Sequence, residues 1–203
     1  MKSIFVRFAL IWGILILGLN VHVNAQETRT YKISALGKGI GTMQISRTDS
    51  GTKRMYHTIS KMEVNLLFKE IRISIENRTW YEGNQMIKAT NKVIANGKVN
   101  STSLIEWVGN QYVITVDGET KDPIKSPVYH SGSMLYFAQP TGVSQSFAES
   151  SGLFMELDDL GEGLYQATDP HNGRHITYAY EGGKVNEVQI KHRLLTVKMR
   201  EVE

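Results

Sequence analysis

Cysteine is absent from this chain of 203 residues, which excludes a disulfide framework, thiol catalysis and zinc–thiolate sites together. The same absence excludes a bacterial lipoprotein, whose lipid is carried by a cysteine directly after the leader. Small secreted eukaryotic domains usually rely on disulfides, so their lack favours a bacterial envelope. Asn77-Arg78-Thr79 and Asn100-Ser101-Thr102 then carry no glycan meaning. Basic runs are missing as well: the 23 Lys and Arg residues are spread along the chain against 20 Asp and Glu. Neither nucleic acid nor an anionic membrane surface is implied as a partner.

Long apolar runs are also lacking. The longest, Phe8 to Leu19, is interrupted only by Gly13 and Gly18 and follows Lys2 and Arg7. It is about 12 residues long, where a membrane-spanning helix needs about 20. Val23-Asn24-Ala25 then offers the small-x-small pattern of a signal peptidase site. Residues 1–25 therefore read as a signal peptide cleaved before Gln26, with a membrane anchor as the alternative. Removal of Lys2 and Arg7 brings the mature chain close to charge balance. Residues 26–203 are enough for one domain with a sizeable core. The expected location is periplasmic or secreted, with no transmembrane anchor after cleavage.

What is present is turn chemistry. Asp49-Ser50-Gly51, Glu82-Gly83-Asn84, Asn96-Gly97-Lys98, Gly109-Asn110, Asp117-Gly118, Asn172-Gly173 and Gly182-Gly183 punctuate the chain at strand-length intervals. Such pairs accept the positive φ of tight hairpin turns, and the segments between them are rich in Ile, Val, Thr and Tyr. Period-2 alternation gives these strands one dry face: Ile71, Ile73 and Ile75 interleave with Arg72, Ser74 and Glu76, while Tyr112, Ile114 and Val116 share a side. Leu104 points away from Ile105 and Trp107. The fold class is all-β, a meander of about 10–12 antiparallel strands forming a strongly curved sheet or barrel. Strands are expected near 30–36, 39–48, 53–63, 67–80, 85–95, 98–107, 111–117, 143–149, 163–168, 174–181, 184–192 and 194–201. Gly37-x-Gly39-x-Gly41 precedes a strand, so it is no phosphate loop and reads as a bulge or sharp bend. One segment breaks the pattern. Ser126-Pro127 supplies a helix start, Met134, Leu135, Phe137 and Ala138 give helical spacing, and Pro140 stops it, which predicts a short helix or helical turn near 129–138 that plugs the sheet.

No segment carries a catalytic signature. Tyr129-His130-Ser131-Gly132-Ser133 lacks the nucleophile elbow. His171 and His175 with Asp169 lack third and fourth metal ligands at suitable spacing. Glu156, Asp158, Asp159 and Glu162 lack the ligand order of a calcium loop and read as solvated loop. A glycosidase pair drawn from Glu149 and that acidic cluster is chemically sufficient, but nothing sets its separation. No cofactor or metal is implied.

The segment containing Pro127, Tyr129, Ser131, Leu135-Tyr136-Phe137, Pro140, Gly142, Phe147 and Glu149 resembles a family of secreted Bacteroidota-type proteins known as a domain of unknown function. Gly39-Ile40-Gly41, Tyr81-x-Gly83 and Tyr178-x-Tyr180-x-x-Gly183 extend the resemblance over most of the mature chain. It implies an exported β-rich protein with no assigned activity, catalytic residue or cofactor. A looser similarity, of architecture alone, is to periplasmic lipoprotein carriers, in which a curved sheet and a helical lid hold acyl chains. Seven methionines beyond Met1, nine tyrosines, Trp80 and Trp107 suit either an irregular core or an apolar pocket. The leading expectation is a binding or envelope-maintenance module. An apolar or lipid-like ligand would lie between Met134, Leu135 and Phe137 on the helix and Ile73, Trp80 and Trp107 on the sheet. The alternatives are an envelope glycan or lipid hydrolase using carboxylates, and a structural partner in an envelope complex.

Overall fold

Alternation and turn chemistry build one sheet. The computed structural model describes residues 25–66, 69–170, 173–191 and 196–202; the proposed signal peptide falls outside them. Fourteen strands follow in order: β1 Ala25–Ala35, β2 Lys38–Ser50, β3 Lys53–Leu66, β4 Lys69–Glu82, β5 Gln85–Ala95, β6 Lys98–Val108, β7 Gln111–Val116, β8 Glu119–Ile124, β9 Gln145–Ala148, β10 Leu153–Gly161, β11 Leu164–Thr168, β12 His175–Glu181, β13 Lys184–Lys191 and β14 Thr196–Val202. All pair antiparallel in the spatial order β8-β7-β6-β5-β4-β3-β2-β1-β14-β13-β12-β11-β10-β9. The sheet is curved and not closed into a barrel. β1 stands in the middle, between β2 and β14, so the chain winds outward through one wing to β8, crosses over, and winds back through the other wing from β9.

Asn172 lies outside the described residues; the other hairpins are where the dipeptides place them. Asn96 and Gly97 adopt φ of 50° and 78°, and Asp117 and Gly118 adopt 53° and 83°, the double positive φ of a type I′ turn. The glycine-rich start of β2 is a bulge: Ile33 pairs with Gly41 and Ser34 with Gly39, leaving Ile40 as the extra residue. Gly41 also lies against β3, where a Cβ would come 2.0 Å from the Lys61 carbonyl oxygen. Only glycine fits that approach.

Two strands depart from expectation. β8 is exposed almost throughout, so it shows no alternation. Its Pro123, which lacks a backbone donor, suits the edge position it holds. β10 takes the acidic stretch that reads as loop: Met155 and Leu157 turn inward while Glu156 and Asp158 stay exposed. Dense charge had masked a period of two.

The expected short helix or helical turn is present only as one turn within an extended strap. Residues 125–144 join the two edges of the sheet across its concave face, and their only helical piece is a single 3-10 turn, Met134–Tyr136. Sheet-like bonds compete with a helix too short to stand alone. Met86 N–H donates to the Val128 carbonyl (2.9 Å), Phe147 N–H to that of His130 (2.9 Å), and Gly132 N–H to that of Phe147 (2.9 Å). At the far end the Tyr180 hydroxyl donates to the Leu135 carbonyl (2.7 Å) and the Arg29 guanidinium to that of Tyr136. Arg29 is itself buried and gripped by both oxygens of Glu201 on β14, at 2.7 and 2.5 Å. A buried guanidinium needs this pairing, and the pairing ties β1, β14 and the strap together. Among the described residues no helix is long and apolar enough to cross a membrane.

Candidate functional site

Strand register places a polar rung across the concave face. Thr58 on β3 pairs with Asn77 on β4, Asn77 with Asn91 on β5, and Asn91 with Ser103 on β6. All four positions share the inward parity of Tyr56, Thr79, Ala89 and Ile105, each no more than 2 % exposed. The rung opens into a cavity of about 210 Å³ between the two wings. Opposite it stand Met155, Ile176 and Tyr178; Gly132, Ser133 and Tyr136 of the strap and the β9–β10 turn also line it, with Met43, Asp169 and Arg174.

Glu149 enters this cavity because the β9–β10 turn folds over the concave face. Gly152 of that turn, with φ of 72°, presses so closely on Ile114 of β7 that a Cβ would meet its side chain at 2.6 Å. The Ser103 hydroxyl donates to the Glu149 carbonyl at 2.6 Å. The Glu149 side chain then accepts from Ser133 N–H at 3.0 Å and from the Thr79 hydroxyl at 3.2 Å, both on the same oxygen, Oε1. Glu149 is 6 % exposed. Among the described residues no Lys, Arg or His pairs with it. Burying a carboxylate without a cation is costly, so its placement calls for a chemical reason.

The amides beside it are also under-satisfied. Asn77 Nδ2 donates to Ser133 Oγ at 2.9 Å, but Asn77 Oδ1 and Asn91 Oδ1 are buried without a hydrogen-bond partner. Asn91 is 7 % exposed. Native interiors leave few such atoms. At the mouth, Asp169 and Arg174 approach each other at 3.6 Å. The rings of Tyr136 and Tyr178 meet edge to face, with centroids 6.1 Å apart. Burial first, and the Glu149 charge second, push the Tyr136 hydroxyl well above the usual phenol range. The Tyr178 hydroxyl is raised likewise, by burial and by Tyr136, Tyr180 and Glu149. These hydroxyls stay protonated under ordinary conditions.

The residues expected to hold an apolar ligand are distributed differently. Leu135 is 2 % exposed and packed in the core, and the Phe137 ring lies 5.5 Å from that of Tyr56. Both fill space. Met134 is half-buried and packs at the edge of the same core. Trp107 points inward and stacks edge to face on Tyr112 at 4.7 Å. Trp80 lies between inward Thr79 and Tyr81, so it faces outward, where Lys88 sits 6.0 Å above its ring. Ile73 is inward but distant along the strand, lining a second hollow with Ile40, Met62 and Ile94 at the Gly97 end of the sheet. Glu156 and Asp158 on β10 point outward, and Asp159 and Glu162 are exposed, while Glu149 is buried at the cavity. His171 lies outside the described residues, and among those described no three His, Asp or Glu side chains gather as metal ligands.

Glu149 and Asn77 were visible in the sequence, one as a candidate carboxylate and one as a sequon. Thr58, Asn91 and Ser103 were missed. The available signal was polarity at an inward position, as where Ile71, Ile73 and Ile75 give way to Asn77 and Thr79.

Fold and site together define an all-β protein: an open, curved meander crossed by a strap, with a polar hollow inside. The chain belongs to the family described as a domain of unknown function, DUF6134, which matches residues 31–201. No curated protein and no solved structure matches it.

Proposed function

We propose that this protein is an exported binding module that holds a small polar ligand inside the curved sheet. One observation carries the reading: a cavity of about 210 Å³ lined by a buried Glu149 with no basic partner among the described residues and by Asn91, whose buried Oδ1 has no hydrogen-bond partner. A fold that needed only a core would fill this rung with apolar side chains. Hollows of this kind, apolar with a few convergent polar groups, are the usual form of a ligand site. Export rests on the leader pattern of residues 1–25. Native mass spectrometry of the purified protein, with extraction of whatever dissociates, tests the reading. A bound small polar molecule that is lost in Asn91→Leu supports it. No adduct, either as purified or after exposure to a mixed panel of amines, sugars and amino acids, overturns it.

A second reading keeps the apolar ligand. The hollow around Ile40, Met62, Ile73 and Ile94 measures about 360 Å³ and has the apolar floor that an acyl chain would use. A co-extracted lipid, released by Ile73→Asp and unaffected by Asn91→Leu, would favour it.

A further inference from the structure

Four donors around Glu149 are committed: Ser133 N–H and the Thr79 hydroxyl go to Glu149 Oε1, the Ser103 hydroxyl goes to the Glu149 carbonyl, and Asn77 Nδ2 goes to Ser133 Oγ. Three acceptors stand beside them. Asn77 Oδ1 and Asn91 Oδ1 are buried without partners, and Glu149 Oε2 receives no hydrogen bond from any described residue. Gly132 keeps that oxygen clear, because a Cβ there would stand 3.0 Å from it.

The charge has the same sign. The lining includes two carboxylates, Glu149 and Asp169, and one guanidinium, Arg174, which lies 3.6 Å from Asp169 at the mouth. The deep end is left net negative. An anionic ligand would be repelled there, and a neutral polyol would leave the buried charge uncompensated. Tyr136 and Tyr178 add aromatic surface, which attracts cations through the ring quadrupole. The size also limits the ligand, since about 210 Å³ is below the range of drug-sized pockets, roughly 300–1,000 Å³.

We infer that the occupant is a small primary ammonium ion, one N–H group donating to Glu149 Oε2 and the other two to Asn77 Oδ1 and Asn91 Oδ1 once these buried amides rotate toward it, with its short carbon chain resting on Tyr136, Tyr178 and Met155. This rests on the interior-pocket reading and narrows it to one ligand class. Charge complementarity explains the unpaired carboxylate, and donor count explains the unpaired amides. A quaternary ammonium satisfies the first and not the second.

Isothermal titration calorimetry of the purified protein with n-butylammonium, tetramethylammonium and 1-butanol separates these features. n-Butylammonium should bind at least about tenfold more tightly than either of the others, a hydrogen bond to a charged group being sufficient for that ratio. Glu149→Gln should abolish the preference over 1-butanol, and Asn91→Leu should reduce n-butylammonium affinity while bringing tetramethylammonium closer to it. Circular dichroism confirms that each variant is folded; if Glu149→Gln is not, Asn91→Leu and Asn91→Asp decide, the latter being expected to tighten ammonium binding. Equal affinity for all three probes, or binding indifferent to these substitutions, overturns the inference. A native adduct that proves to be a neutral sugar or an anion, lost in Asn91→Leu, overturns the ammonium assignment and leaves the interior-pocket reading standing. Absence of any ligand overturns both.

Discussion

Two adjacent rungs on the same face of the same strands make opposite choices. One runs through Tyr56, Thr79, Ala89, Ile105 and Ile114, with no member above 2 % exposure, and is packed solid by the strap and the β9–β10 turn. The next, two residues along, runs through Thr58, Asn77, Asn91, Ser103 and Val116 and borders a cavity. Curvature, strand partners and inward parity are shared. The polar rung serves the fold only in part: Asn77 holds Ser133 of the strap and Ser103 holds the Glu149 carbonyl, while Asn91 Oδ1 has no partner. The dry rung holds the sheet together, and the wet one keeps Asn91 for something else.

The largest effect should come from the dry side. Leu135 is buried to 2 % exposure at the point where Tyr180 and Arg29 grip the strap's backbone. Truncating such a leucine to alanine costs about 2–5 kcal/mol, and Leu135→Asp adds the burial of an unpaired carboxylate. The expected outcome is loss of the cooperative denaturant transition and of the native β signal. If the fold survives while only ligand binding disappears, the strap is a lid and the two rungs are less distinct than proposed.

Gly41→Ala comes second. A Cβ placed 2.0 Å from the Lys61 carbonyl cannot be accommodated by a side-chain rotation, because the obstacle is backbone, and β2 must move away from β3. Overpacking of this kind costs about 1–3 kcal/mol. Urea midpoints should fall accordingly with an unchanged slope. The disturbance begins beside Met62 at the hollow near Ile73, so ammonium affinity at Glu149 should be unaltered in the folded fraction.

How much of this was legible depends on range. The hairpins around Asn96-Gly97 and Asp117-Gly118, the β2 bulge and the inward sides of β4 and β7 follow from residues within a few positions of one another. The strap did not, because its spacing of Met134, Leu135 and Phe137 suits a helix. What overrides the local preference is bonding to β5 and β9; Val128 and Met86 stand 42 positions apart, outside any local window. β10 was hidden because charge density outweighed alternation in Leu153–Gly161. The site was half legible for the same reason. Glu149 and Asn77 carry recognisable chemistry, but Asn91 gains its meaning only from facing Asn77 across the sheet, a pairing that depends on register. Leu36 shows the converse, a hairpin turn without turn chemistry: its φ is 51°, followed by 76° at Gly37.

Asn91→Leu sharpens the comparison directly by making the wet rung resemble the dry one. It replaces an amide whose Oδ1 lacks a partner with an apolar side chain of similar size in a position 7 % exposed. Removing an unsatisfied buried acceptor and adding apolar burial should raise stability by about 1 kcal/mol. Ligand binding should fall at the same time. Stability that drops by a similar amount would mean that Asn91 supports the fold and that the wet rung has no separate purpose.

The smallest effect calibrates the others. Leu36 and Asn96 both begin a two-residue hairpin turn, with φ of 51° and 50° and a glycine next at 76° and 78°, yet one is a leucine and the other an asparagine. The left-handed region crowds the leucine Cβ against its own carbonyl, at a cost of roughly 1–2 kcal/mol, whereas asparagine enters it readily. Leu36 is 79 % exposed, so little packing is lost by replacing it. Leu36→Asn should therefore stabilise by about 0.5 kcal/mol, read as a rise in urea midpoint. Because the gain comes from backbone conformation outside both rungs, it should leave ammonium affinity unchanged and add to that of Asn91→Leu in the double variant. A Leu36→Asn protein that is no more stable would show that the β1–β2 turn relaxes away from this conformation. A double variant that is not additive would show that stabilising one part of the sheet reaches the wet rung, and the separation between the two rungs would fail with it.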